Sequence, residues 1–182
     1  MTERGNVPGA TTEAGATTEA GVTTAATDKV ALRAELIAQL AAALDSAQRA
    51  HAAALEGATH TEARAENAKD TRGLEQSYLA RGQAQRVAEL EAGLAAVTAL
   101  AVRRFAPGDP IALGAVVTVD DDGEPRRLFI APHGGGSALA GGVQVVTPSS
   151  PLGRAVLGKR IDDEVELRLP GGLRNLLVVG VD

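Results

Sequence analysis

Ser150-Pro151-Leu152-Gly153-Arg154-Ala155-Val156-Leu157-Gly158-Lys159, followed by Asp162-Asp163-Glu164-Val165-Glu166-Leu167 and then Pro170-Gly171-Gly172, is the stretch whose reading decides the fold. Ser150 suits a helix N-cap, because its hydroxyl can accept one of the unpaired amides of a first turn. Pro151 then falls on the first helical position, where a missing N–H costs nothing. A short helix is expected over Ser150–Gly158. Glu164–Leu169 alternates polar and apolar residues, the period of a half-buried strand. Pro170-Gly171-Gly172 reads as a turn, and Leu176-Leu177-Val178-Val179 as the strand that closes the chain.

Working upstream, Gly142-Val143-Gln144-Val145-Val146 reads as another strand. Ala115–Val119 and Arg127–Ile130 read as a pair joined by the turn Asp120-Asp121-Asp122-Gly123. Phe105-Ala106-Pro107-Gly108-Asp109-Pro110 cannot continue a helix and marks a boundary. Residues 104–182 are therefore expected to form a compact domain dominated by antiparallel strands.

Before that boundary the apolar period changes to three and four. Asp28 reads as an N-cap, and Leu32, Leu36, Leu40, Ala43, Ala47, Ala50 and Ala54 form one stripe, widened by Ile37 and Leu44. Gly57 is a plausible stop. A second helix is expected from about Asn67 to Val102, with the stripe Val87, Leu90, Leu94, Val97 and Ala101, continued less regularly by Leu74 and Tyr78. Residues 28–103 thus read as an antiparallel hairpin with its tip near 58–66, each arm roughly 45 Å long at the helical rise. The hairpin buries its own stripe, so a monomer is expected. Residues 1–27 nearly repeat Thr-Thr-Glu-Ala-Gly and are expected to form a disordered tail.

The chain of 182 residues carries a net charge of -5, which argues against a broad nucleic-acid-gripping surface. It has no cysteine, which excludes disulfides, thiolate metal sites and cysteine catalysis. No secretory signal and no apolar run long enough for a bilayer is visible, so a cytoplasmic protein without a membrane partner is expected.

The Ser150–Gly172 segment resembles the C-terminal signature of Gre-type bacterial transcription elongation factors in order and spacing. Glu66-Asn67-Ala68 resembles the family's hairpin-tip motif. The resemblance spans residues 28–182. It implies an α+β protein: an N-terminal antiparallel α-helical coiled-coil hairpin followed by an FKBP-like β-rich domain. The implied partner is bacterial RNA polymerase, with the domain docking at the secondary-channel rim through Pro151, Leu152, Leu157 and Gly158. The hairpin enters the channel and meets the nascent RNA 3′ end only indirectly. The chain would be no enzyme and need no cofactor of its own. The tip carboxylates Glu66 and, second, Glu62 would assist the polymerase's Mg2+, with Glu66 as the shared metal ligand, in hydrolysing backtracked RNA.

The tip departs from the cleavage-competent pattern. The family's acidic residue three positions before the Glu of Glu-Asn is Ala63 here, and Lys69 stands where an acid is frequent. A non-cleaving coiled-coil regulator occupying the same channel is therefore the alternative. Glu62, Glu66 and Asp70 also read as a solvated helix face, as do Lys69, Arg72, Arg81 and Arg86. His133-Gly134-Gly135-Gly136 lacks the nucleophile elbow of an esterase and reads as a flexible loop. His51 and His60 read as polar surface. An FKBP-like fold raises prolyl isomerase activity, but an aromatic-walled pocket is hard to build from Phe105, Phe129 and Tyr78.

Overall fold

The computed structural model describes residues 28–59 and 72–182. Two long helices, α1 (Lys29–Thr59) and α2 (Arg72–Thr98), pack against each other as a hairpin. They are followed by β1 (Val116–Asp121), β2 (Glu124–Ile130), β3 (Ala138–Leu139), β4 (Val143–Val146), α3 (Pro151–Val156), β5 (Glu164–Leu169) and β6 (Gly172–Val181). The strands form one sheet in the order β3-β4-β2-β1-β6-β5. Every neighbouring pair is antiparallel except β2 and β4.

Helix α1 starts where the sequence predicts. The carboxylate of Asp28 accepts the amides of Val30 and Ala31 at 3.1 and 3.0 Å. The α1 stripe is buried at Leu32, Leu36, Leu40, Ala47 and Ala54, but Ala50 is exposed. On α2 the buried line is Ala80, Leu90 and Val97, with Val87 and Leu94 packed beside it. Tyr78 does not continue that line: it lies two residues, about 200° of helical rotation, from Ala80, and is 66% exposed. Ala101 is exposed as well, because α2 ends at Thr98 and Leu100 enters the core instead. Gly57 does not stop α1, which continues to Thr59.

The two-residue side-chain period places one apolar set on each face of the sheet. Val116, Phe129, Leu139, Val143 and Val145 face the base of the hairpin and join Leu32, Leu36, Leu90 and Val97 in one cluster. Val117, Val119, Leu128 and Ile130 face the other way, towards Val156 of α3 and Val165, Leu167, Leu176 and Val178. Truncating a fully buried side chain such as Leu36 to alanine would cost about 2–5 kcal/mol. Polar contacts reinforce the first seam. Glu35 accepts the Ala140 amide at 2.9 Å, Gln39 donates to the Ala138 carbonyl at 3.0 Å, and Arg33 donates to the Leu100 carbonyl at 2.8 Å.

Several sequence expectations are corrected. The β1–β2 turn is shorter than Asp120–Gly123. Asp121 still pairs with Glu124, and only Asp122 and Gly123 turn, both at positive φ (56° and 88°). Asp121 is buried at the end of β1, between the guanidiniums of Arg126 and Arg174, each at 3.1 Å. The last strand begins at Gly172, earlier than Leu176. His51 is half-buried, with an Nδ1 that lacks a hydrogen-bond partner, rather than plain surface.

Candidate functional site

The segment expected to dock is built around α3. The Gly153 amide donates to Ser150 Oγ at 3.0 Å, while that hydroxyl donates to the Thr147 carbonyl at 2.8 Å. Pro151 occupies the first turn, as its fixed φ favours. The Leu157 amide closes the helix on the Gly153 carbonyl at 3.0 Å, and Gly158 leaves it at φ 78°. The Gly158 amide then donates to the Ile111 carbonyl at 2.9 Å, and Ile111 donates to Lys159 at 2.8 Å. These bonds tie the end of α3 to the linker that follows the hairpin.

Four residues were expected to form the partner surface. Pro151 and Gly158 are exposed, Leu152 and Leu157 are half-buried, and all four lie on or beside α3. Pro151 and Leu152 border a mainly apolar cleft of about 370 Å³, with Val146 and Leu167 in its wall and Arg126 at its rim. The wall contains no aromatic side chain: Phe129 faces the hairpin side of the sheet and Phe105 packs beside the opposite cluster. The cleft therefore lacks the walls that an isomerase reading needs.

Glu62, Ala63, Glu66, Asn67, Lys69 and Asp70 lie outside the described residues, as does His60. Arg81 and Arg86 are exposed on α2. Among the described residues, no group of three or more His, Cys, Asp or Glu is arranged to hold a metal. Among them, too, no helix is long and apolar enough to cross a membrane.

Two features escaped sequence reading. Gly153 looks like an ordinary helix glycine, yet a Cβ there would lie 1.9 Å from the Thr147 carbonyl oxygen. The His133–Gly136 run is no flexible loop. Gly136 and Ser137 donate to the Val145 and Gly134 carbonyls at 2.9 and 3.1 Å, and His133 packs against Gly93 of α2. Only the density of glycine in this run and its repeat at Gly93 could have signalled such close approaches.

At the linker, Arg103 stacks over Phe105 with its guanidinium 4.0 Å from the ring centroid, and Lys29 lies 5.2 Å from it. Burial pulls the Lys29 ammonium below its usual range, although Asp182 opposes the shift. Asp109 accepts the Ala106 amide at 3.0 Å and Arg103 at 3.2 Å. The first of these bonds, then the second, holds its carboxyl below the usual 3.8.

Residues 106–182 match the family model described as transcription elongation factor, GreA/GreB, C-term. The transcription elongation factor GreA of Sphingopyxis alaskensis is 40% identical over 76 residues, which is 41% of this chain and 46% of that protein. The GreA of Beijerinckia indica is 35% identical over 98 residues, 53% of this chain and 60% of that protein. The chain thus spans about half the length of the curated relatives it matches. Among solved structures, the GreA factor homolog 1 (Gfh1) of Thermus thermophilus is similar at 22% identity and a TM-score of 0.36, covering 84% of this chain and 95% of that one. A GreA/GreB factor from Nitrosomonas europaea is similar at 23% identity and a TM-score of 0.34, over 52% and 78% of the two chains.

Proposed function

We propose, from the match of residues 106–182 to the GreA/GreB C-terminal family model, that this chain is a transcription elongation factor that binds bacterial RNA polymerase and inserts its hairpin into the secondary channel. We place the boundary between hairpin and docking domain at 103/104, with residues 1–27 as a tail. The observation that carries the reading is the docking segment itself. Ser150 caps α3 and leaves Pro151 exposed beside half-buried Leu152, at the edge of an apolar cleft. An exposed, rigid apolar edge next to a concave wall suits a protein partner.

The hairpin supplies reach. At 1.5 Å per residue, the 31 residues of α1 span roughly 45 Å from base to tip. The base is fixed to the β domain by the Glu35 and Gln39 contacts, while Arg33 ties α1 to the chain leaving α2, so motion of the docking domain carries the hairpin with it. The chain performs no reaction of its own. Glu66, with Glu62 second, offers a carboxylate oxygen to the magnesium of the polymerase, which is a hard-ligand pairing. The polymerase supplies the metal chemistry that hydrolyses backtracked RNA. The chain acts as a monomer, in the cytoplasm.

A second reading rests on Ala63, which stands where the resemblance calls for an acid. In that reading the hairpin occupies the channel and regulates the polymerase without supporting cleavage. One pair of experiments separates the two. Polymerase should be retained on the immobilised chain, and stalled elongation complexes should release short 3′ RNA fragments when the chain is added. Retention with intact RNA, unchanged by Glu66→Ala, supports the non-cleaving reading. Loss of retention itself removes both.

A further inference from the structure

The loop 132–137 has no part in the docking helix, yet it floors a second cleft. This one lies in the crook where the hairpin meets the sheet and has a volume of about 540 Å³. Leu40, Ala43 and Leu90 of the hairpin form its apolar wall. We propose that this cleft binds a small phosphate-bearing anion of nucleotide size. The proposal stands apart from the polymerase reading.

Charge is the first argument. The chain carries a net charge of -5, yet the lining contains no Asp or Glu and includes the guanidinium of Arg86. The ion pair of Arg86 with Glu89 is long, at 3.9 Å, and both side chains are more than half exposed. Such a pair holds the guanidinium weakly. A phosphate offering two oxygens to the guanidinium fork is the stronger partner.

Hydrogen-bond donors are the second argument. Gly134 and Gly135 line the cleft, and their amides have no hydrogen-bond partner among the described residues. Ser137 contributes a hydroxyl to the same lining. Thr147 and Ser149 share one hydroxyl–hydroxyl bond of 3.2 Å, so one of their two hydroxyl protons stays available. Amides, hydroxyls and a guanidinium around one concavity without a carboxylate are the donor set that a phosphate group takes up.

Preorganisation is the third. Gly134 adopts φ 84°, and a Cβ on it would lie 2.7 Å from Leu36. A Cβ on Gly135 would lie 3.1 Å from Thr147. The glycines thus press the loop against α1 and against the strand end after β4, and the Gly136–Val145 hydrogen bond fixes it there. A ligand entering the cleft has little left to order. It touches the hairpin through Arg86 and the β domain through the loop, so its occupancy favours one pose of hairpin on domain.

The test is calorimetric titration of the full chain, without polymerase, using inorganic pyrophosphate and GDP at low salt. Saturable one-site binding of both is expected, weakened roughly tenfold or more by Arg86→Ala, the size expected for losing a charge-assisted fork. Arg81→Ala, an exposed arginine of the same helix outside the cleft, should change affinity by less than about twofold. Saturable binding of GDP but not pyrophosphate, lost in Arg86→Ala, still supports the site and assigns it to nucleotides. The proposal is overturned by no saturable binding of either probe, by equal binding in Arg86→Ala, or by equal weakening in Arg81→Ala. Tighter Arg86-dependent binding of a short RNA than of GDP overturns it too, in favour of nucleic acid.

Discussion

A Cβ added to Gly153 would lie 1.9 Å from the carbonyl oxygen of Thr147. That carbonyl already accepts the amide and the hydroxyl of Ser150, the cap of α3. The first turn of α3 is therefore pressed against its own entry strand, and only a glycine allows the approach. Gly153→Ala should push α3 away from Thr147, break the Ser150 cap and cost about 1–3 kcal/mol, the range for overpacking a tight site. Ser150→Ala removes the cap bond to Gly153 and the hydroxyl's bond to Thr147 without any clash and should cost about 1 kcal/mol. Urea unfolding midpoints measure both. Retention on polymerase should fall more for Gly153→Ala, because that change displaces Pro151 and Leu152 as well.

Gly93 and His133 form a second close approach, with a Cβ on Gly93 only 2.4 Å from the imidazole ring. Gly93 lies inside α2, where alanine is favoured over glycine by about 1 kcal/mol. The clash reverses that preference, because the ring atoms nearest the backbone are among those struck. Gly93→Ala alone should destabilise by about 1 kcal/mol or more. In a His133→Ala background the same change should stabilise by about 1 kcal/mol. Opposite signs in the two backgrounds, read in a double-mutant cycle, establish that the ring and not the helix dictates glycine here. The same sign in both would show that the loop moves freely.

Acid should loosen the linker between hairpin and sheet. The Ala106 amide and then Arg103 hold the Asp109 carboxyl below its usual 3.8. A depressed folded value means that the contribution of Asp109 is fully present above about 3.8 and is lost as pH falls through the lower folded value. Wild type and Asp109→Asn should therefore differ in melting temperature at neutral pH and converge in strong acid. Because Asp109 is only half-buried and its partner Arg103 is exposed, the neutral-pH difference should be small and should shrink with added salt. A difference that grows on acidification would contradict this assignment.

Legibility in the sequence followed the range of the interaction. The starts of α1 and α3 were readable because their N-caps, Asp28 and Ser150, act within three residues. The α1 and α2 stripes were readable along most of their length, and misleading at Ala50, which is exposed, at Tyr78, where the period had slipped, and at Ala101, which lies past the end of α2. The strands were readable as strands, but not as a sheet. The parallel pairing of β2 with β4 depends on contacts between Arg127–Ile130 and Val143–Val146, and the two-residue strand β3 on the pairing of Ala138 and Leu139 with Gln144 and Val143, which no local pattern specifies. The packed loop at His133 failed for the same reason. Gly134 answers to Leu36 and His133 to Gly93, which lie 98 and 40 residues away in sequence. The apolar rim of the proposed docking site was legible, since Pro151 and Leu152 fall within the capped segment. The tip carboxylates were legible only by resemblance, and they lie outside the described residues.

The tip offers the most direct functional prediction. Ala63 precedes Glu66 by three residues, where the resemblance calls for an acid, whereas Glu62 is one residue further back and rotated by about 100° in a helix. Chemistry at a shared magnesium is sensitive to misplacement of about 1 Å, so Glu62 is a poor substitute and wild-type stimulation of RNA cleavage should be weak. Ala63→Asp restores an acid at the position where the resemblance calls for one. It should raise cleavage in stalled elongation complexes by about tenfold or more, with polymerase retention unchanged. Adding Glu66→Ala to that variant should return cleavage to the background of polymerase alone. If Ala63→Asp binds polymerase normally and cleavage does not rise, the hairpin tip does not reach the metal, and the chain acts by occupying the channel.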